Sequence, residues 1–229
     1  MSSTMQVENL ARDGQNPFCV LLTCSDSRIP IEMVFDRGMG SLFVIRTFGN
    51  IVDDLATASI EYALESFGIQ LLVVMGHSRM GAIRLTMESE DSDYENLTPS
   101  LRAATTKIGP SLRRARIKHH YFDKLDRSNE KKEIFEKILQ TTCSENIETS
   151  IKELQNSSKL LSRLVSQEKL FIVPANYEVQ NGRVNFSVPK KLAPDLTSEF
   201  METERLNHGK SPFEVFKQSL NGKRKKRSA

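Results

Sequence analysis

Phe18 to Thr23, Ser41 to Arg46 and Gln70 to Met75 are short, nearly continuous apolar runs. Runs of this length predict strands buried on both faces. Between the second and third, apolar residues at 56, 60, 63, 64 and 67 recur at helical spacing. They predict a helix over 54–67, capped by Asp53 or Asp54 and ended by Gly68. Strand, strand, helix, strand is the order of a parallel sheet under covering helices. Weaker patterns predict a helix over 5–13, a helical turn over 32–36 and a helix over 80–87. An acidic loop at 88–97 is followed by predicted helices at 98–118, 128–141 and 146–167. Residues 170–173 read as a fourth strand, and Asn181-Gly182 as a hairpin-type turn into an antiparallel edge strand near 183–188. The predicted fold class is α/β: a mostly parallel central sheet with flanking helices.

The 229 residues suffice for one α/β domain with a full core. The expected division is a domain over 1–189, a helical extension over 190–220 and a disordered basic tail over 221–229. Net charge is +3, but residues 223–227 hold five positive charges, so the rest of the chain carries a net −2. The basic balance therefore describes the tail, a candidate contact for nucleic acid or anionic surfaces, and not the folded surface. No apolar run approaches the ~20 residues of a membrane helix. Without a basic-then-apolar leader, the expected location is cytoplasmic. Cys19, Cys24 and Cys143 are too few for a disulfide framework.

Two strand ends carry the candidate chemistry. The first apolar run leads into Cys24-Ser25-Asp26-Ser27-Arg28, which packs a thiolate ligand, a carboxylate and a guanidinium into five residues. The third leads into Gly76-His77-Ser78-Arg79-Met80-Gly81. Ligands bind outside the carboxyl ends of strands in open α/β sheets, and one Cys with one His is half of a zinc site. By itself each has a plainer reading: Cys24 as core filler, His77 as a structural histidine, and Asp26–Arg28 as an ion pair that holds a loop.

These motifs, in this order, resemble the β-class carbonic anhydrases. So do Phe43-Val-Ile-Arg46 with Gly49-Asn50, Ser59-Ile-Glu-Tyr-Ala63, Asn146, Phe171-Ile-Val-Pro-Ala-Asn-Tyr177 and Gly182-Arg-Val184. The resemblance covers roughly residues 8–188. It implies zinc, a substrate pair of carbon dioxide and bicarbonate, and a homodimer that can pair into a tetramer. It implies Cys24 and His77 as metal ligands and Asp26, Arg28 and Gln15 as catalytic residues. The reaction it implies is reversible hydration of carbon dioxide, with Asp26 and Arg28 orienting a zinc-bound water.

One departure is decisive. The family's third ligand, a cysteine three residues after the histidine, is Met80 here. A neutral thioether is a poor zinc ligand. Activity is therefore expected to be weakened or lost, and a non-catalytic dimeric scaffold or regulatory relative is the alternative. Asp26 is a candidate replacement ligand. Cys19, five positions before Cys24, should face away from the site. Cys143 falls in a predicted connection, with nothing to bring it near. Phe48 stands where the family usually has Ala, and a ring of that bulk is expected to narrow the pocket.

Overall fold

Every residue of β1 (Cys19–Cys24) and of β3 (Leu71–His77) is buried, which explains why both read as unbroken apolar runs. The computed structural model describes residues 4–92, 94, 96–120 and 131–187. With β2 (Leu42–Thr47), β4 (Phe171–Glu178) and β5 (Arg183–Phe186), these strands form one sheet in the order β2-β1-β3-β4-β5. The first four are parallel, and β5 is antiparallel to β4. The mostly parallel α/β sheet with an antiparallel edge strand is therefore the fold that forms.

From β1 the chain moves outward to β2, then returns past β1 to β3 and on to β4. The order reverses between β1 and β3, so a crevice opens beyond their carboxyl ends. Register confirms the alignment, with Val20 opposite Leu72 and Thr23 opposite Met75.

Helix α3 (Asp54–Phe67) has the predicted bounds because both ends are chemically marked. The Asp53 carboxylate accepts from Ala56 N at 2.7 Å, and Gly68 closes the helix at φ 60°. Ile60, Ala63 and Leu64 give it a buried face against the sheet. Each large apolar side chain buried this way contributes about 1.5–3 kcal/mol. The other α-helices among the described residues are α1 (Thr4–Asp13), α2 (Ile31–Val34), α4 (Gly81–Glu90), α5 (Pro99–Lys118), α6 (Lys131–Ser157) and α7 (Lys159–Ser166).

The C-terminal half departs from the expected pattern. In place of helices at 128–141 and 146–167, α6 runs unbroken through the supposed connection, and the break falls at Ser158. The Ser158 hydroxyl caps α7 by accepting from Leu161 N at 3.1 Å. Strand β4 runs to Glu178, past Pro174. Proline lacks a donor, but its carbonyl accepts from Ser187 N at 2.9 Å, on the side where the β5 ladder has already ended. The proposed extension over 190–220, the basic tail 221–229 and position 188 of the edge strand lie outside the described residues. Among the described residues no helix is long and apolar enough to cross a membrane.

Candidate metal centre at the carboxyl ends of β1 and β3

Cys24 ends β1 and His77 ends β3, on neighbouring strands at the point where the sheet order reverses. Both are buried, His77 completely. His77 Nδ1 lies 2.9 Å from the backbone oxygen of Ser78. A carbonyl only accepts, so Nδ1 carries the proton and Nε2 presents a lone pair. That Nε2 is buried and has no hydrogen-bond partner. Burial also lowers the pKa of His77, which keeps the ring neutral at pH 7.

Asp26 faces this lone pair, with Oδ2 3.8 Å from Nε2. The distance is too long for a hydrogen bond, and both atoms are acceptors. Arg28 fixes the carboxylate in a two-pronged grip, Nε to Oδ1 at 2.9 Å and Nη2 to Oδ2 at 2.6 Å. Its backbone N–H adds a bond to Oδ1 at 3.0 Å. This hydrogen bonding from Arg28 outweighs partial burial and holds the Asp26 carboxyl at about 2. Asp26 is thus an anion at any physiological pH and can only accept. Arg28 Nη2 also donates to the backbone oxygen of Arg79 at 3.1 Å, which ties the loop after β1 to the turn after β3.

That turn carries Met80. Arg79 adopts φ 55°, and Met80 then starts α4 with its side chain buried. Ser78 pins the turn to β4: its hydroxyl accepts from Val179 N at 3.0 Å, and its own N–H reaches the Tyr177 oxygen at 2.9 Å.

Sequence reasoning gave Arg46 no role at the site beyond its place in a motif. At the end of β2 it reaches over the neighbouring loop, Nε donating to the Cys24 oxygen at 3.1 Å and Nη2 to the Asp26 oxygen at 2.5 Å. The available signal was a cation closing an apolar strand parallel to β1. A second support comes from α6. Asn146 Nδ2 donates to the Gly49 oxygen at 2.8 Å, and the Ser150 hydroxyl donates to the Asn50 oxygen at 2.9 Å. They lock the turn Phe48–Asn50, where Gly49 sits at φ 65° with Ala82 and Ile108 too close for any side chain.

Cys143 is a correction. It lies within α6, fully packed against the end of β3, with Sγ 3.4 Å from both the His77 oxygen and Asn176 Oδ1. Burial pushes its thiol up to about 12, so it is a packing residue with a weak S–H donor. Cys19 behaves as expected: fully buried at the far end of β1, its thiol pKa raised by desolvation and its S–H directed to the Val20 oxygen. Gln15 does not join the others. It is exposed and precedes the start of β1, at the end of that strand away from Cys24.

A metal fits two of these groups directly. A buried, unpartnered imidazole lone pair facing a carboxylate is an arrangement completed by a cation, and the Cys24 thiol ends the adjacent strand. For zinc the set is one anionic ligand short. Among the described residues no three His, Cys, Asp or Glu side chains are grouped to hold a metal ion. Met80, which the resemblance sets in the place of a third ligand, is a thioether, and Asp26 is already engaged by Arg28.

The chain is similar to known proteins in sequence and in fold. The sequence pattern of the carbonic anhydrase family matches residues 19–184. The chain is 31% identical over 173 residues to a carbonic anhydrase of Mycolicibacterium smegmatis, covering 75% of each chain. It is 30% identical over 172 residues to carbonic anhydrase 2 of Mycobacterium tuberculosis, covering 74% of each. Among solved structures, the β-carbonic anhydrase CcaA superposes with a TM-score of 0.63 at 25% identity, over 80% of this chain and 88% of that one. A tetrameric β-carbonic anhydrase of Sordaria macrospora has the same fold, with a TM-score of 0.61 at 23% identity over 79% and 84% of the two chains.

Proposed function

This chain belongs to the β-carbonic anhydrase family, and from that premise we propose that its site hydrates carbon dioxide reversibly to bicarbonate, slowly because Met80 stands in a ligand position. The observation that carries the reading is the Asp26 carboxylate, clamped by Arg28, 3.8 Å from the unpartnered Nε2 of His77. Members of the family generally use zinc; Cys24 and His77 would hold it, with Asp26 left to Arg28. When bound, zinc acidifies a water molecule to about pKa 7 and so supplies a nucleophile at neutral pH.

The chain's own residues do the rest. Asp26, permanently ionised, accepts a hydrogen bond from the nucleophile and thereby aims its lone pair. Arg28 holds Asp26 in place, and Arg46 holds the backbone on which Asp26 and Cys24 ride. Phe48 and Val52 form the apolar wall on the substrate side. Gln15 hydrogen-bonds a substrate oxygen in the site of a second copy of the chain, with a homodimer as the working unit.

Met80 favours a second reading, a non-catalytic dimeric relative that keeps the fold without the metal. Stopped-flow hydration assays on the zinc-supplied chain and on Met80→Cys separate them. The expected result is low zinc content and slow hydration in the wild type, both rising in Met80→Cys and abolished when Cys24→Ser is added. A Met80→Cys protein that fills with zinc yet shows no hydration would support the non-catalytic reading. Full zinc and rapid hydration in the wild type would remove Met80 as the cause of weakness.

A further inference from the structure

The two faces of the sheet are covered unequally. Gly76 on β3 faces Cys143 and Ile147 of α6, and Asn176 on β4 meets the same Cys143 sulfur. Helix α6 therefore covers the face of Gly76 and Asn176. Side chains alternate along a strand, so Phe171, Val173, Ala175 and Tyr177 of β4 stand on the opposite face. Phe186 and Val184 of β5 join them there, opposite Ala175 and Tyr177. Helix α2, four residues long, reaches this face: the ring of Phe35, which ends it, lies 6.4 Å from that of Phe186. Cover at this end of the sheet is thin. Phe171, Val184 and Phe186 are each only part-buried, and Met33 of α2 is 79% exposed. Parallel sheets bury both faces, and among the described residues this end lacks that depth of cover.

We propose that residues 211–220 of the same chain dock on this face as a helix, beside α2 and over Phe171, Val184 and Phe186. Three observations select that occupant. The chain leaves β5 at Ser187, at the edge of the face, with residues 188–229 still to follow. Ser211-Pro212-Phe213-Glu214 is the signature of a helix start: a serine cap, a proline in first position and a glutamate that can bond back to the cap. Phe213, Phe216 and Leu220 then recur at spacings of three and four, the stripe of a helix that buries one apolar side. Reach is ample. A flexible linker as long as that from Ser187 to Ser211 spans roughly 25–30 Å. Such a tether holds a segment near its target at an effective concentration on the order of millimolar, against which a second copy at micromolar concentration competes poorly. The family pattern ends at residue 184, and the segment lies beyond it.

The test keeps the full chain. Benzoylphenylalanine, a photoreactive residue, is installed in place of Phe216. Isotopically light and heavy chains are unfolded and refolded together, irradiated and digested for mass spectrometry. Cross-links should run to the peptides that carry Met33 and β4–β5, and both halves of each should bear the same label. A second measurement needs no cross-linker. The double variant Phe213→Ser with Phe216→Ser, verified as folded by circular dichroism, should exchange the amide hydrogens of β5 at least about tenfold faster than the wild type, because a strand that loses its cover opens more often. Cross-links confined to other surfaces, or β5 exchange unchanged in the double variant, would each overturn the proposal. Cross-links that join a light to a heavy chain would overturn it in favour of a second copy as the occupant.

Discussion

Cys143 Sγ lies 3.4 Å from the backbone oxygen of His77, across the place where Gly76 has no side chain. A Cβ on Gly76 would come within 2.7 Å of that sulfur and 2.9 Å of Ile147 Cδ1. Gly76→Ala should therefore destabilise the chain by about 1–3 kcal/mol through overpacking. Cys143→Ala in the same chain should recover part of that loss. A urea-denaturation double-mutant cycle measures the coupling; strictly additive effects would show that the two positions do not meet.

Acid should find Asp26. Its carboxyl is held at about 2 by Arg28, against about 3.9 in an unfolded chain. Because the folded value is the lower one, the pair's contribution to stability is complete above pH ~4 and disappears as pH falls toward ~2. The urea midpoint of the wild type should drop more steeply over that window than that of Asp26→Asn. Parallel slopes would mean that the pair contributes nothing to folding.

Arg46 is placed to control the loop without touching the chemistry. Arg46→Met should cost only about 1 kcal/mol of global stability, since the lost bonds lie at the surface. In a Met80→Cys background it should nevertheless reduce zinc per chain and hydration together. Lysine should not rescue, because a single ammonium lacks the fork that reaches two carbonyls at once. Unchanged zinc content in Arg46→Met would assign the loop geometry to Arg28 alone.

Gln15, at the far end of β1 from Cys24, makes a prediction about assembly. Light scattering at micromolar concentration should give a dimer or a multiple of it. In the Met80→Cys background, Gln15→Ala and Cys24→Ser chains should each be inactive. Mixed by unfolding and refolding together, they should regain activity, because one hybrid site has both residues intact. Failure to complement would confine Gln15 to a structural part.

The strands β1 and β3 and the helix α3 were legible because burial on two faces and marked caps leave local signatures. The site was legible where adjacent residues carry it, as in Cys24-Ser-Asp-Ser-Arg28. Helix α6 was misread at its centre for a physical reason. Thr142, Cys143, Asn146 and Ser150 are all buried on it, yet small polar residues dilute an apolar stripe and look like a connection. Asn146 and Ser150 spend their polarity on tertiary bonds, to Gly49 and Asn50, while Thr142 bonds back to the Ile138 oxygen one turn earlier in the helix. Only the fold reveals such partners. Arg46 was obscured similarly, since its acceptors are backbone oxygens of another strand's loop.

The bonds from α6 to the turn Phe48–Asn50 span 97 and 100 residues of sequence. At ordinary translation speeds that separation corresponds to about 5–20 s between emergence of the turn and arrival of its support. During synthesis Cys24 and His77 are therefore presented well before the wall beside them can close. A nascent chain halted before residue 146 would expose both ligands and an unbraced Gly49. Metal captured at that stage would meet an open, wet pair of donors, so the order in which the chain leaves the ribosome bears on which ion the finished site contains.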